Sequence, residues 1–122
     1  MTAGADRAAR GPASARHPGE RIAAEVSSWP GVTSALHRFG GTEFRLGRRE
    51  LGHLHGDRFA DLPFPRRVRD ELVAAGRARP HHAMPDSGWV TAPIHSDDVE
   101  PVIELFRMGY ERATDAAERR AP

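Results

Sequence analysis

The feature that most constrains the fold is a series of short β-prone segments separated by glycine turns. Gly40-Gly41 separates residues 32–39 from residues 42–46. Gly47 then begins the turn that leads to a third segment, residues 50–55. Glycine readily adopts the backbone angles that tight hairpin turns require, so segments joined in this way pair antiparallel. This part of the chain therefore predicts an antiparallel sheet.

Helical periodicity surrounds these strands. Ile22, Val26 and Trp29 are spaced as one stripe of a first helix, which Pro30-Gly31 ends. Further strands are expected at residues 59–62 and 88–94, with a short helix at residues 65–76 between them and a long helix that begins after Asp98. This order predicts the α+β class: a two-layer sandwich in which an antiparallel sheet of four to six strands is packed by N- and C-terminal helices, with one short helix inserted between strands.

The expected organisation is a single domain. Its length of 122 residues suits one hydrophobic core. Residues 1–16 show no apolar period and are predicted to form a flexible tail, residues 17–115 the domain, and residues 116–122 a C-terminal tail.

Composition excludes several classes of function. The formal net charge is +1, far from the basic balance that binding to a phosphate backbone requires, so no nucleic-acid partner is expected. The absence of cysteine excludes disulfides, thiolate metal ligands and cysteine nucleophiles. No apolar run approaches the length of a membrane helix and the start lacks the apolar core of a secretory signal, so the expectation is a cytoplasmic protein with no membrane partner.

Histidines give the best candidate site. On a strand, His53 and His55 point to the same face about 7 Å apart, and Leu51 is expected beside them. His81 and His82 lie in a loop or short strand before Trp89, and one of the two is expected to face the same side if the backbone there is extended. Three histidines can bind a transition metal, contact a metal-free ligand or play a structural part, and the pattern leaves these alternatives open.

Other polar and aromatic residues are candidates for the same site. Asp57 and Asp61 follow the histidine pair and can orient the imidazoles, although Asp57 also suits a turn cap. Arg45 and Trp89 can line a pocket for a flat aromatic ligand, by charge and by stacking, although Trp89 also suits the core. The expected partner is a small molecule. With no phosphate-cradling glycine loop before a helix, no nucleotide cofactor is predicted.

Several of these segments together carry a resemblance. The run Arg49-Glu50-Leu51-Gly52-His53-Leu54-His55-Gly56-Asp57, the helix at residues 66–76, His81-His82, Gly88-Trp89-Val90 and Met108-Gly109-Tyr110 make the chain similar to the luciferase domain of light-emitting fungi and its short bacterial relatives. The resemblance covers about residues 32–110.

The resemblance implies a chemistry as well as a fold. The fungal luciferases oxidise 3-hydroxyhispidin with molecular oxygen and without a flavin or nucleotide, through a peroxide that loses carbon dioxide. The resemblance implies that His53, His55 and His82 remove the proton of an enol or bind the oxygenated intermediate. If a metal is present, the same three histidines are the expected ligands, and molecular oxygen is the expected co-substrate.

The sequence also departs from the fungal proteins. It lacks their hydrophobic N-terminal segment, has Asp61 where they carry a histidine, and is shorter between His82 and Trp89. A smaller pocket and a different substrate are expected. Two hypotheses follow: an oxygenase acting on a small enolic aromatic compound, and a non-catalytic module that binds a small ligand or a protein through the same histidines.

Overall fold

The computed structural model describes residues 17–36 and 40–120. Within these ranges the chain forms three helices and one six-stranded antiparallel sheet. The helices are α1 (Pro18–Ser27), α2 (Arg66–Ala74) and α3 (Glu100–Arg120). The strands are β1 (Val32–Leu36), β2 (Thr42–Leu46), β3 (Arg49–His55), β4 (Phe59–Pro63), β5 (Arg79–Pro80) and β6 (Trp89–Pro93), in the sheet order β1-β2-β3-β4-β6-β5. The predicted α+β sandwich is confirmed.

The elements follow the sequence patterns closely, with two differences. The short strand β5 was expected only as a loop or strand near His81, and it pairs at the sheet edge with β6. Helix α3 continues through Arg120, into the segment predicted as a tail, and the Asp98 side chain accepts a hydrogen bond from the Glu100 N–H at its start. The predicted N-terminal tail and the end of the first strand, residues 37–39, lie outside the described residues. No helix in the described ranges has the length and apolar character of a membrane span.

The core lies between one face of the sheet and the two terminal helices. Both α1 and α3 contact the strands, and they also contact each other. Phe44 and Phe106 meet edge to face at 5.4 Å between ring centroids, and the stripe residues Ile22, Val26 and Trp29 are buried as predicted. Because side chains alternate along a strand, the residues between these core positions point to the opposite face of the sheet.

A β-bulge in β3 decides which side chains reach that opposite face. Phe44 pairs with Gly52 and Arg45 pairs with Glu50, so the register passes over Leu51. Leu51 is 2% exposed and belongs to the core. The expectation that Leu51 lies beside the histidine pair is therefore wrong: an extra residue in the strand shifts the alternation by one position. The same shift places Glu50 on the face of His53.

Candidate functional site

The site is a row of polar side chains across the middle of the sheet. His53 on β3 pairs with Asp61 on β4, and Asp61 pairs with Thr91 on β6. Neighbouring strands lie about 4.8 Å apart, so directly paired residues project side by side from the same face. His55 lies two residues beyond His53, and it joins the same face.

Four imidazole rings converge on one oxygen of Asp61. Their Nε2 atoms lie at 2.9 Å (His55), 3.3 Å (His82), 3.4 Å (His81) and 3.5 Å (His53) from Asp61 Oδ2. The expectation that one of His81 and His82 would face away assumed an extended backbone. The chain bends at His82, and the two rings stack at 4.2 Å between centroids, so both reach the carboxylate.

Asp61 is the buried centre of the cluster, at 1% exposure. The Thr91 hydroxyl donates a 2.7 Å hydrogen bond to Oδ1, which leaves Oδ2 directed at the imidazoles. Burial by itself would raise the pKa of the Asp61 carboxyl, but hydrogen bonds from His53, Thr91 and His82 outweigh burial and hold the pKa well below its usual range. Asp61 is therefore an ionised carboxylate at neutral pH.

Glu50 orients His53 from the other side of the ring. Its carboxylate lies 2.8 Å from His53 Nδ1, and a carboxylate accepts, so the proton of the neutral ring sits on Nδ1. Burial would lower the pKa of His53, but the hydrogen bonds to Asp61 and Glu50 outweigh burial and raise the pKa from 6.5 to about 9. His53 is accordingly protonated and positively charged at neutral pH.

His81 is held in the opposite tautomer. Its Nδ1 accepts the backbone N–H groups of Ala83 and Met84, each at 3.1 Å. The proton of the neutral ring therefore sits on Nε2, from which it points at Asp61. Burial lowers the pKa of His81, and the opposing effect of the Asp61 charge does not reverse this. His81 is a neutral hydrogen-bond donor.

Aromatic rings flank the cluster. His55 stacks on Phe59 with 4.4 Å between ring centroids, and Trp89 lies 5.6 Å from the His53 ring and 6.0 Å from the His81 ring. These planes form walls suited to a flat ligand beside the imidazoles. The His82 side chain is 54% exposed, so the cluster is reached from solvent at that side.

The structure brings six of the eight predicted site residues together: His53, His55, Asp61, His81, His82 and Trp89. Arg45 lies at the margin, where its side chain donates to the Glu43 carboxylate and to the Arg48 carbonyl. Asp57 lies in the turn between β3 and β4, and its carboxylate accepts the Gly19 N–H in the first turn of α1 at 2.8 Å. The carboxylate therefore caps the first turn of α1, and among the described residues it neither orients an imidazole nor caps its own turn.

The position of Asp57 makes a simple prediction. Asp57→Ala is expected to lower the free energy of unfolding by about 1 kcal/mol, because a backbone donor at a helix start loses its acceptor. Ligand binding at the histidines is expected to stay unchanged. Thermal denaturation and a binding titration measure the two effects. Asp57→Asn, which keeps an acceptor oxygen, is the matched control, and a loss of binding in Asp57→Ala would contradict this placement.

Two members of the site were missed from the sequence. Glu50 lies three positions before His53, which in a regular strand is the opposite face, and Gly52 between them was the available sign of a bulge. Thr91 lies two residues after Trp89 on β6 and so shares its face of the sheet. Nothing else in the sequence indicated that Thr91 belongs to the site. Their roles depend on the pairing of separate strands.

The fold and the cluster define a class: a small α+β domain with a histidine–carboxylate site on the open face of an antiparallel sheet. The family model of the Luciferase domain matches residues 48–109, just over half of the chain, and this span contains the whole cluster. The chain belongs to the Luciferase domain family. Searches among curated proteins and among solved structures found no match.

Proposed function

We propose that this protein is a luciferase-like oxygenase that acts on a small enolic aromatic compound at the histidine–Asp61 cluster, without a flavin or nucleotide. The observation that carries the proposal is the convergence of four imidazoles on one buried, ionised carboxylate beside aromatic rings. Such a cluster supplies bases, hydrogen-bond donors and a stacking surface at one place.

His82 is the residue best suited to remove the enol proton. Its Nε2 lies 3.3 Å from Asp61 Oδ2, and the carboxylate only accepts, so a neutral His82 keeps its proton on Nε2. Nδ1 then carries the lone pair and is the basic atom. Because the ring is exposed, substrate can reach this nitrogen. Neutral imidazole has the basicity that this step needs near pH 7. His53 and His55 lie on the sheet beside it and contact the substrate oxygens.

The proposed step conserves atoms and electrons. His82 takes the hydroxyl proton of the enol, and the electron pair of the resulting enolate forms a carbon–oxygen bond to molecular oxygen. The oxygen–oxygen bond order falls from two to one, and the proton returns from His82 to the distal oxygen. The product is a hydroperoxide that contains the atoms of the substrate and of one O2 molecule.

Oxygen uptake with 3-hydroxyhispidin and simpler enolic pyrones tests this proposal. Wild-type protein is expected to consume oxygen and substrate in equal amounts. His82→Ala is expected to lower kcat about 100-fold or more, because general base catalysis contributes effects of this size. The melting temperature of the His82→Ala variant should stay near that of wild type, since the His82 side chain is half exposed. His95→Ala, outside the cluster, is the control. An oxygen uptake rate equal to that of buffer for all these compounds would exclude the proposal.

A second candidate is a non-catalytic small-ligand module. The exposure of His82 and of the neighbouring Met84 side chain, which is 45% exposed, favours it, because catalysis usually excludes water from the reacting atoms. Calorimetry with the same compounds distinguishes the two functions. Saturable binding without substrate loss supports the module, whereas binding followed by turnover supports the oxygenase.

A further inference from the structure

We infer that His53, His55 and Asp61 form a binding site for one divalent transition-metal ion. Their ligand atoms lie within 4.8 Å of one another, on two adjacent strands that pair with each other. This inference deepens the proposed function, because it concerns the same site. It is tested without any substrate, so the two can fail separately.

Hydrogen bonding alone does not account for the convergence on Asp61 Oδ2. A carboxylate oxygen has about two lone-pair positions, which the hydrogen bonds to His55 and His82 already fill. The Nε2 atoms of His81 and His53 nonetheless also lie within 3.5 Å of the same oxygen. Ligand atoms held about 2.1 Å from a common metal lie roughly 3.0 to 3.4 Å from each other in octahedral or tetrahedral arrangements. The separations of 2.9 Å for His55 and 3.5 Å for His53 from Asp61 Oδ2 fall close to this range.

The tautomer of His53 supplies a second argument. Because Nδ1 donates to Glu50, the Nε2 lone pair of the neutral ring faces the Asp61 carboxylate. The positive partner that these two atoms share is the ring proton while His53 is protonated, and a metal ion can take the place of that proton without moving either atom. A carboxylate on the far nitrogen of a metal-binding histidine is the usual arrangement that fixes its orientation, and Glu50 occupies that place.

The tautomer of His81 excludes it from the ligand set. Asp61, His81 and His82 also bring three ligand atoms together. The two backbone N–H groups that point at His81 Nδ1, however, keep the ring proton on Nε2, the atom nearest to Asp61. Metal ligation through Nε2 would leave the protonated Nδ1 opposed to the N–H groups of Ala83 and Met84. The set His53, His55 and Asp61 is therefore favoured.

The donor set indicates the kind of metal. Two imidazoles and one carboxylate suit iron, zinc and their neighbours, and leave coordination positions open. Thr91 occupies Asp61 Oδ1, so the carboxylate presents one oxygen, Oδ2, as the ligand. The open positions can take water, a substrate oxygen or molecular oxygen.

The experiment uses untagged protein stripped with a chelator and titrated with Co²⁺, followed by visible absorption, and with Zn²⁺, followed by calorimetry. We expect one ion per chain. His55→Asn is expected to weaken binding about 100-fold or more, since removal of even an outer-shell partner costs 10- to 100-fold. His81→Asn keeps an oxygen that can accept the Ala83 and Met84 N–H groups but loses the Nε2–H group that points at Asp61, so its affinity should fall only about 10-fold, the smaller loss expected for an outer-shell partner. His95→Ala serves as the control for nonspecific histidine binding.

Each outcome decides the inference. Stoichiometric binding that is lost in His55→Asn and only about 10-fold weaker in His81→Asn supports the assignment. Absence of a cobalt spectrum and of zinc binding heat in folded wild-type protein overturns the metal site, and the oxygenase proposal is then judged on oxygen uptake alone. A loss of affinity in folded His81→Asn as large as that in His55→Asn overturns the choice of His53, His55 and Asp61 as the ligand set. Circular dichroism of every variant separates loss of binding from loss of fold.

Discussion

Asp61→Asn is expected to reduce substrate turnover about 100-fold or more, as large a loss as that expected on removal of the base His82. The amide keeps the shape of the side chain and an acceptor for Thr91. It removes the negative charge that fixes the proton of His82 on Nε2, and its NH2 group opposes the Nε2–H groups of the imidazoles. Oxygen uptake at saturating substrate measures kcat, and near-UV circular dichroism checks that the fold is kept.

Two further variants make this result specific. Asp57→Asn applies the same chemical change to a carboxylate outside the cluster and should retain wild-type turnover. Thr91→Val removes the donor to Asp61 Oδ1 while the charge stays, so its loss of turnover should be well below that of Asp61→Asn. Turnover of Asp61→Asn within threefold of wild type would show that the carboxylate has no part in the reaction.

Gly52→Ala is expected to destabilise the fold by about 3 kcal/mol, or roughly 10 °C in melting temperature. Gly52 has φ +145°, a conformation that side chains with a Cβ rarely adopt. An added Cβ would also lie 2.7 Å from the Asp61 carbonyl oxygen and 2.9 Å from Phe106 Cε1. The added methyl group would therefore clash both with the backbone of β4 and with a core side chain. Thermal and urea denaturation measure the loss.

Gly47→Ala is the matched control for backbone strain. Gly47 also has a positive φ, +64°, but an added Cβ there meets no atom within 4 Å. This variant should lose only about 1 kcal/mol, the cost of the left-handed conformation. Equal losses for the two glycine variants would mean that close packing at the bulge contributes nothing. A residual folded fraction of Gly52→Ala should also show weaker metal binding, because the bulge aligns Glu50 with His53.

The site shows where inference from the sequence succeeds and where it stops. The alternation of His53 and His55 placed both on one face without reference to any other strand, because period-two geometry is local. The position of Asp61 among the imidazoles was a candidate from proximity in the chain, and the β3–β4 register makes it their centre. For Asp57, proximity in the chain to the histidine pair did not indicate its contact, because its carboxylate accepts a hydrogen bond from the N–H of Gly19, which is distant in sequence.

The sequence by itself determined the antiparallel sheet, the helices and their buried stripes, and the histidine pair, because each depends on periodicity or on turn residues a few positions apart. The tertiary structure alone decided that Glu50 faces His53, that both His81 and His82 reach Asp61, and that Thr91 orients the carboxylate. The first contact depends on the bulge in β3, the second on the bend at His82, and the third on the register between β4 and β6. Their geometry comes from how the strands pair and pack, which no local pattern specifies.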